Sequence, residues 1–307
     1  MLIFATPEPN ASAYRPSKRM TWLGSARAVP HMQGMNTSPT IFDRHAVRLH
    51  RDRAADTVDR VRPVLLDAAE RLLDRLDDTT RRFTQALDVG GRGVVAPLLR
   101  ARGIDVVSCD LSARMALRSG TPCVACDEEW LPFAPASFDL VVANLSLHWV
   151  NDLPGALIQL RRTLRPDGLL LASLPALGTL GELRSALTAA ELAVASGASP
   201  RVSPFPDLRD LAGLLQRAGF TLPVADVEVI TMSYATPLAL LRDLRDAGEG
   251  NAIALRDRKP PARAMFPTAL AAMQSGPETG SRMPATLRIA TITGWAGPSA
   301  VRPGSGP

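Results

Sequence analysis

Leu87-Asp88-Val89-Gly90-Gly91-Arg92-Gly93 joins a short apolar run, Gln85–Val89, to a helical stretch near residues 94–101. Glycines at a strand-to-helix junction permit positive φ and close backbone approach, so N–H groups near the helix start can face a ligand. Many such turns contain glycine, and the loop by itself leaves ligand binding open. Its surroundings decide the fold. Apolar runs at Asp105–Cys109, Cys123–Cys126, Phe138–Ala143 and Leu169–Ser173 alternate with helical segments near 112–118 and 153–164. In the last segment Leu153, Leu157, Leu160 and Leu164 share one face, and Asn151 or Asp152 can cap it just before Pro154. Continuous apolar strands alternating with helices are the pattern of a parallel sheet covered on both faces.

Downstream, helices are expected at 180–196, 206–218 and 236–247 and within 260–274, and two more strands near Val224–Met232 and Leu287–Thr293 extend the sheet. The expected class is α/β: a Rossmann-like, seven-stranded, mostly parallel sheet with helices on both faces, N-terminal helices and a helical insertion. Upstream, Leu65, Ala68, Ala69, Leu72, Leu73 and Leu76 recur on one helix face. Pro63 separates that helix from an earlier one carrying Arg44, Arg48 and Arg51, whose charges read as a solvated face. The chain divides into a disordered extension at 1–40, N-terminal helices at 41–80, the main domain at 81–296 and a disordered tail at 297–307. The extension bears arginine and almost no acid. It reads as a disordered tail, as residues upstream of a start at Met35, or as a mitochondrial transit peptide.

Composition narrows the function classes. With 307 residues, 46% hydrophobic and 21% charged, the chain is a folded protein rather than a disordered or fibrous one. The longest uncharged stretch near the middle, Gly168 to Gly181, falls short of the ~18 apolar residues of a membrane helix, so no membrane span is expected. Net charge is +5, but Arg15, Lys18, Arg19 and Arg27 against Glu8 account for +3 of it within the first 40 residues. No basic stripe with interleaved aromatics appears, so nucleic acid is not an expected partner. Three cysteines point to a reducing compartment. Cys123-Val124-Ala125-Cys126 lacks a second pair and reads as two small side chains on a buried strand, with no metal site. Lys18 and Lys259 are the only lysines, an arginine bias associated with GC-rich bacterial genomes.

Acids follow the next two strands. Asp110 ends the second, about twenty residues past the glycines, where a carboxylate can bridge two ribose hydroxyls. Asp127-Glu128-Glu129 follows the third and can accept from an adenine amino group. Carboxylates at the carboxyl ends of neighbouring parallel strands face one crevice, although each could instead cap the helix or turn that follows. Candidate nucleoside-binding residues are therefore Asp88, Gly90, Gly91, Gly93, Asp110, Leu111, Asp127, Glu128 and Asn144. His148 and Trp149 follow the fourth strand beside the expected substrate opening, the histidine as a candidate for touching substrate and the tryptophan as a wall. A nicotinamide dehydrogenase would want Gly-x-Gly-x-x-Gly, and Gly90-Gly91-Arg92-Gly93 does not provide that spacing.

From the glycine loop through Asp110, Asp127 and Phe138-Asp139-Leu140-Val141-Val142, the chain resembles class I S-adenosylmethionine-dependent methyltransferases. More narrowly, Asp127-Glu128-Glu129-Trp130-Leu131-Pro132-Phe133 and the run from Asn144 to Pro154 resemble the mitochondrial complex I assembly factors of this fold. Less closely, they resemble the malonyl-carrier-protein methyltransferases of biotin synthesis. Ile41-Phe42-Asp43-Arg44, Gly248-Glu249-Gly250-Asn251 and Met283-Pro284-Ala285-Thr286 leading to Ile292-Thr293-Gly294-Trp295 favour the assembly-factor branch. The resemblance covers roughly residues 41–296. It implies S-adenosylmethionine as cofactor and methyl transfer to a small-molecule, carrier-bound or protein acceptor. The assembly-factor branch implies hydroxylation of an arginine in a complex I subunit, or a non-enzymatic chaperone. The implied location is the bacterial cytoplasm, or the mitochondrial matrix of a eukaryote, peripheral at the inner membrane.

One departure stands out. These families usually read Asp-x-Gly-x-Gly-x-Gly, whereas Asp88-Val89-Gly90-Gly91-Arg92-Gly93 is one residue shorter, which moves every following N–H unless the helix start compensates. Displacement at a sulfonium methyl needs alignment and exclusion of water, with no obligatory general base. The four histidines, His31, His45, His50 and His148, show no iron-binding spacing, so hydroxylation rests on the resemblance alone.

Overall fold

Two helices lead into a seven-stranded sheet in this computed structural model, which describes residues 40–194, 197–274 and 282–298. The expected extension at 1–40 and tail at 297–307 lie outside the described residues except for 40, 297 and 298. Helix α1 (Arg44–Ala54) is followed by a 3₁₀ turn (Val58–Val61) and α2 (Arg62–Asp74), with Pro63 in the first turn of α2. The alternation then runs β1 (Gln85–Val89), α3 (Val95–Ala101), β2 (Asp105–Asp110), α4 (Ala113–Arg118), β3 (Cys123–Ala125) and β4 (Phe138–Asn144). A 3₁₀ turn (Leu147–Trp149), α5 (Leu153–Thr163), β5 (Leu164–Pro175), α6 (Gly181–Val194) and α7 (Leu208–Arg217) come next. The chain continues through β6 (Thr221–Tyr234), α8 (Pro237–Asp246), α9 (Met265–Gln274) and β7 (Met283–Ala296).

Strand order is β3-β2-β1-β4-β5-β7-β6. The first five strands are parallel, and β7 runs antiparallel to both β5 and β6. The strand period of two explains the layers. Leu87, Val89, Val141 and Leu170 face a core closed by Leu157 and Leu160 of α5 and Leu211 and Leu215 of α7. Ala86, Leu140, Val142, Leu169 and Leu171 face the other side, against Leu65, Leu72 and Leu73 of α2 and Val95 and Leu99 of α3. Every residue of β4 is buried, as an inner strand covered on both faces requires.

Two readings change. β3 is an edge strand three residues long, so Cys123 and Cys126 are half-buried and Ala125 is exposed, instead of lying on a buried strand. The α1 charges are not simply a solvated face: Arg48 is exposed, but Arg51 is only 1% exposed. The physical reason is helical spacing, because Arg51 shares a face with Val47 and Ala54, both of which pack inward.

Asp152, and not Asn151, caps α5, accepting from the Gly155 N–H at 2.9 Å. Asp152→Ala is expected to cost about 1 kcal/mol of folding free energy, measured by urea denaturation. An unchanged midpoint would show that the cap contributes nothing.

Candidate functional site

Pairing of Asp88 with Ser108 and of Asp110 with Ala125 brings the carboxyl ends of β1, β2 and β3 level along one edge. The acids at 88, 110, 127 and 128 therefore gather there, as parallel topology dictates. Between them lies the glycine turn. A Cβ at Gly91 would fall 2.0 Å from Asp88 Oδ1, and one at Gly90, where φ is +65°, would fall 2.6 Å from the Ser146 Cβ. No side chain fits at either position. The shortened turn closes before α3 begins. Arg92 adopts a left-handed φ of 50°, and the Val94 N–H donates to the Gly91 carbonyl at 3.0 Å. Two loop donors are used within the protein, the Gly90 N–H on the Cys109 carbonyl (2.7 Å) and the Gly93 N–H on Ser119 Oγ (3.2 Å).

Asp88 is fully buried. Its Oδ2 accepts from Ser108 Oγ at 3.2 Å, while Oδ1 has no partner. Burial pushes this carboxyl up to about 7.

Asp110 and Glu128 share a guanidinium. Arg51 Nη1 donates to Asp110 Oδ2 at 3.1 Å and to Glu128 Oε1 at 3.0 Å, and Nη2 donates to the Ser146 carbonyl at 3.2 Å. Asp110 Oδ1 accepts from the Ser112 N–H at 2.8 Å. Arg44, one heptad before Arg51, binds Asp127 through Nη2 (2.6 Å) and Nε (3.3 Å) and also donates to Glu128. Burial would raise Glu128, but Arg51 and Arg44 outweigh it and hold the carboxyl below its ordinary value. Asp110 has only one of those arginines, so burial prevails over Arg51 and raises it. Leu111 packs with Phe42, Val47 and Trp149 beside this cluster. Asn144 does not join it: its amide donates to the Leu65 carbonyl (3.0 Å) and accepts from Ser173 Oγ (2.9 Å).

A second network lies on the β4 side. Glu249, in the turn after α8, accepts from Trp149 Nε1 at 2.7 Å and meets His148 Nε2 at 2.7 Å through Oε2, and binds Arg92 through Oε1. Burial alone would raise this carboxyl, but His148 and Arg92 hold it far below its ordinary range. Arg92 also donates to the carbonyl of Leu145, itself in a left-handed conformation (φ 49°). Two strained residues thus support each other at the edge of a cavity of about 150 Å³. His148, Trp149, Arg92 and Glu249 line it on one side, and Leu65, Leu180 and Leu183 are among its apolar walls. Arg92 Nε and His148 Nδ1 are buried without partners.

Four residues of the two networks, Arg44, Arg51, Arg92 and Glu249, were not candidates from the sequence. Signals existed. Arg44, Val47, Arg51 and Ala54 recur at helical spacing on an apolar face, and Gly248–Asn251 is one of the stretches that carried the resemblance.

A family profile described as a methyltransferase domain matches residues 58–223. An arginine-hydroxylase, mitochondrial NDUFAF5 of Danio rerio, is 36% identical over 290 residues, spanning 90% of this chain and 86% of the relative. A malonyl-[acyl-carrier protein] O-methyltransferase of a Methylovorus species is 34% identical over 278 residues, spanning 85% and 92%. A solved structure from Bacillus halodurans shares the fold with a TM-score of 0.51 at 16% identity, covering 74% of this chain and 98% of that one.

The raised carboxyl of Asp88 gives a signed expectation. Its ordinary value is 3.8 and its folded value about 7, so the folded chain holds the proton more tightly. Asp88 therefore opposes folding increasingly as pH rises from about 4 to about 7, with a constant penalty above that. Relative to wild type, Asp88→Asn is expected to gain roughly 2.5 kcal/mol between pH 5 and pH 8 in urea denaturation. A difference independent of pH would show that Asp88 titrates normally.

Proposed function

We propose the chemistry of this crevice from one premise: the chain belongs to the S-adenosylmethionine-dependent methyltransferase family. Its cofactor is S-adenosylmethionine. The residues suit that group, since a buried carboxylate oxygen of Asp88 is unpartnered and the turn at Gly90 and Gly91 leaves no room for a Cβ. In this reading Asp110 holds the ribose, Asp127 or Glu128 holds the adenine amine, and Asp88 with Gly90, Gly91 and Gly93 shapes the turn beside them. Leu111 packs against the nucleoside. When bound, the cofactor supplies an activated methyl group together with its leaving group.

The protein's own part is placement. Glu249 fixes His148 and Trp149 through 2.7 Å contacts, so two neighbouring side chains form a rigid wall. The unpartnered His148 Nδ1 is the atom that hydrogen-bonds an acceptor, and Trp149 excludes water from it. The cavity beside this wall is open on one side and mostly apolar, with Leu65, Leu180 and Leu183 among its lining. An open apolar cleft of this kind admits the tip of a carrier-bound chain or a protein side chain while the rest of the acceptor stays outside. The single observation carrying the reading is the row of carboxylates on adjacent strand ends beside a glycine turn and this cavity.

A second reading has its own support, the relative named arginine-hydroxylase matched along 90% of this chain. In it the same wall receives an arginine of a complex I subunit for hydroxylation, or holds the subunit as a chaperone without chemistry. Among the described residues no helix is long and apolar enough to cross a membrane. The proposed location is the bacterial cytoplasm, or the mitochondrial matrix, peripheral to the inner membrane.

Calorimetry with S-adenosylmethionine is expected to show saturable heat, and label from its methyl group is expected on a malonyl-carrier protein or a protein acceptor. No heat at millimolar ligand would contradict the cofactor assignment. Binding without label transfer, accompanied by one added oxygen on a complex I arginine, would replace methyl transfer with the second reading.

A further inference from the structure

Arg51 holds two of the carboxylates proposed to bind the cofactor, Asp110 and Glu128. It bridges Asp110 and Glu128 through one nitrogen, at 3.1 and 3.0 Å. It also lies over the glycine turn, because a Cβ at Gly90 would be 3.3 Å from Arg51 Nη1. Arg44 meanwhile occupies Asp127 and the other oxygen of Glu128. A ribose on Asp110 and an adenine amine on Asp127 or Glu128 require hydrogen-bonding positions that these two guanidinium groups fill.

We infer that Arg51 is an internal stand-in for the nucleoside and that α1 is a strap across the crevice, released from Asp110 when the cofactor enters. This rests on the proposed cofactor-binding residues. Arg51 is then a positioning residue: it keeps Asp110 and Glu128 hydrogen-bonded in the free protein and sets the affinity of the site by competing for them. α1 is held at its start by Asp43, which accepts from Arg256 at 2.9 Å and donates its N–H to the Ala252 carbonyl at 2.7 Å, near its end by Asp52 on the Ser112 hydroxyl, and along its inner face by Val47 and Ala54. Behind Arg51, a Cβ at Gly248 would lie 3.5 Å from the Arg51 Cα, so motion of that turn of α1 reaches the residue preceding Glu249. Cofactor entry is thereby coupled to the wall carrying His148 and Trp149.

Hydrogen exchange of the full chain, read by mass spectrometry with and without S-adenosylhomocysteine, tests this without a variant. Amides of Val47–Ala55 are expected to exchange about ten-fold faster with ligand bound, while those of residues 85–93 slow down. Equal or slower exchange in α1 on ligand binding overturns the inference. In calorimetry, Arg51→Gln is expected to bind the ligand about ten-fold more tightly than wild type, because the free protein surrenders no charge-assisted bond. Arg51→Lys is expected to fall between them, and equal or weaker binding by a folded Arg51→Gln overturns the inference. No heat from either wild type or variant overturns the cofactor reading itself and this inference with it. Should the glutamine variant not fold, the exchange measurement on wild type decides alone.

Discussion

Arg51 carries its charge into a place with almost no water, and three strand ends arrange themselves around it. Moving an ion of that size out of water costs several kcal/mol, which only near-complete hydrogen bonding can offset. Asp110, Glu128 and the Ser146 carbonyl supply the partners, each from a different strand end or loop. Removing Arg51 leaves two buried carboxylates uncompensated unless another donor takes its place. The link from sequence to packing here is direct. Strand register sets Asp110 beside the loop at 127–128, and helical spacing delivers Arg44 and Arg51 to them on one face.

Glu249 plays the equivalent part on the other side of the glycine turn. It draws Arg92 from the turn and His148 and Trp149 from the loop after β4 into one cluster. Arg92 and Leu145 both tolerate left-handed backbone because a hydrogen bond joins them. The turn is therefore shared by two networks, one among the strand-end acids and one around Glu249. Both touch α1, through Arg51 and through the contact of Gly248 with that helix. A change at one network has a short physical path to the other.

Much of the frame was legible because its signals are local. Buried strands such as Gln85–Val89 and Phe138–Asn144 are near-continuous apolar runs, and the Asp152–Pro154 pair marks a helix start whatever surrounds it. Asp110 and Asp127 were found from their place after strands, a rule that follows from parallel topology. What escaped depends on sheet order and distant contacts. Cys123 and Cys126 look buried until β3 proves to be an edge strand. Asn144 has a suitable position for the crevice, but its side chain is committed to Leu65 and Ser173. Glu249 meets His148 across 101 residues of chain, and no local pattern announces that meeting. The charge of Arg51 argued for solvent while its spacing argued for burial, and spacing prevailed because acids were waiting inside.

Arg51 and Arg44 engage the strand-end acids, and under the proposed reading S-adenosylmethionine competes with them for those carboxylates. A crystal structure of the full chain grown with S-adenosylhomocysteine tests this most directly. The account predicts the ribose hydroxyls on Asp110, with the Arg51 guanidinium beyond hydrogen-bond reach of that carboxylate. A nucleoside bound elsewhere, or bound while Arg51 still bridges Asp110 and Glu128, would contradict it.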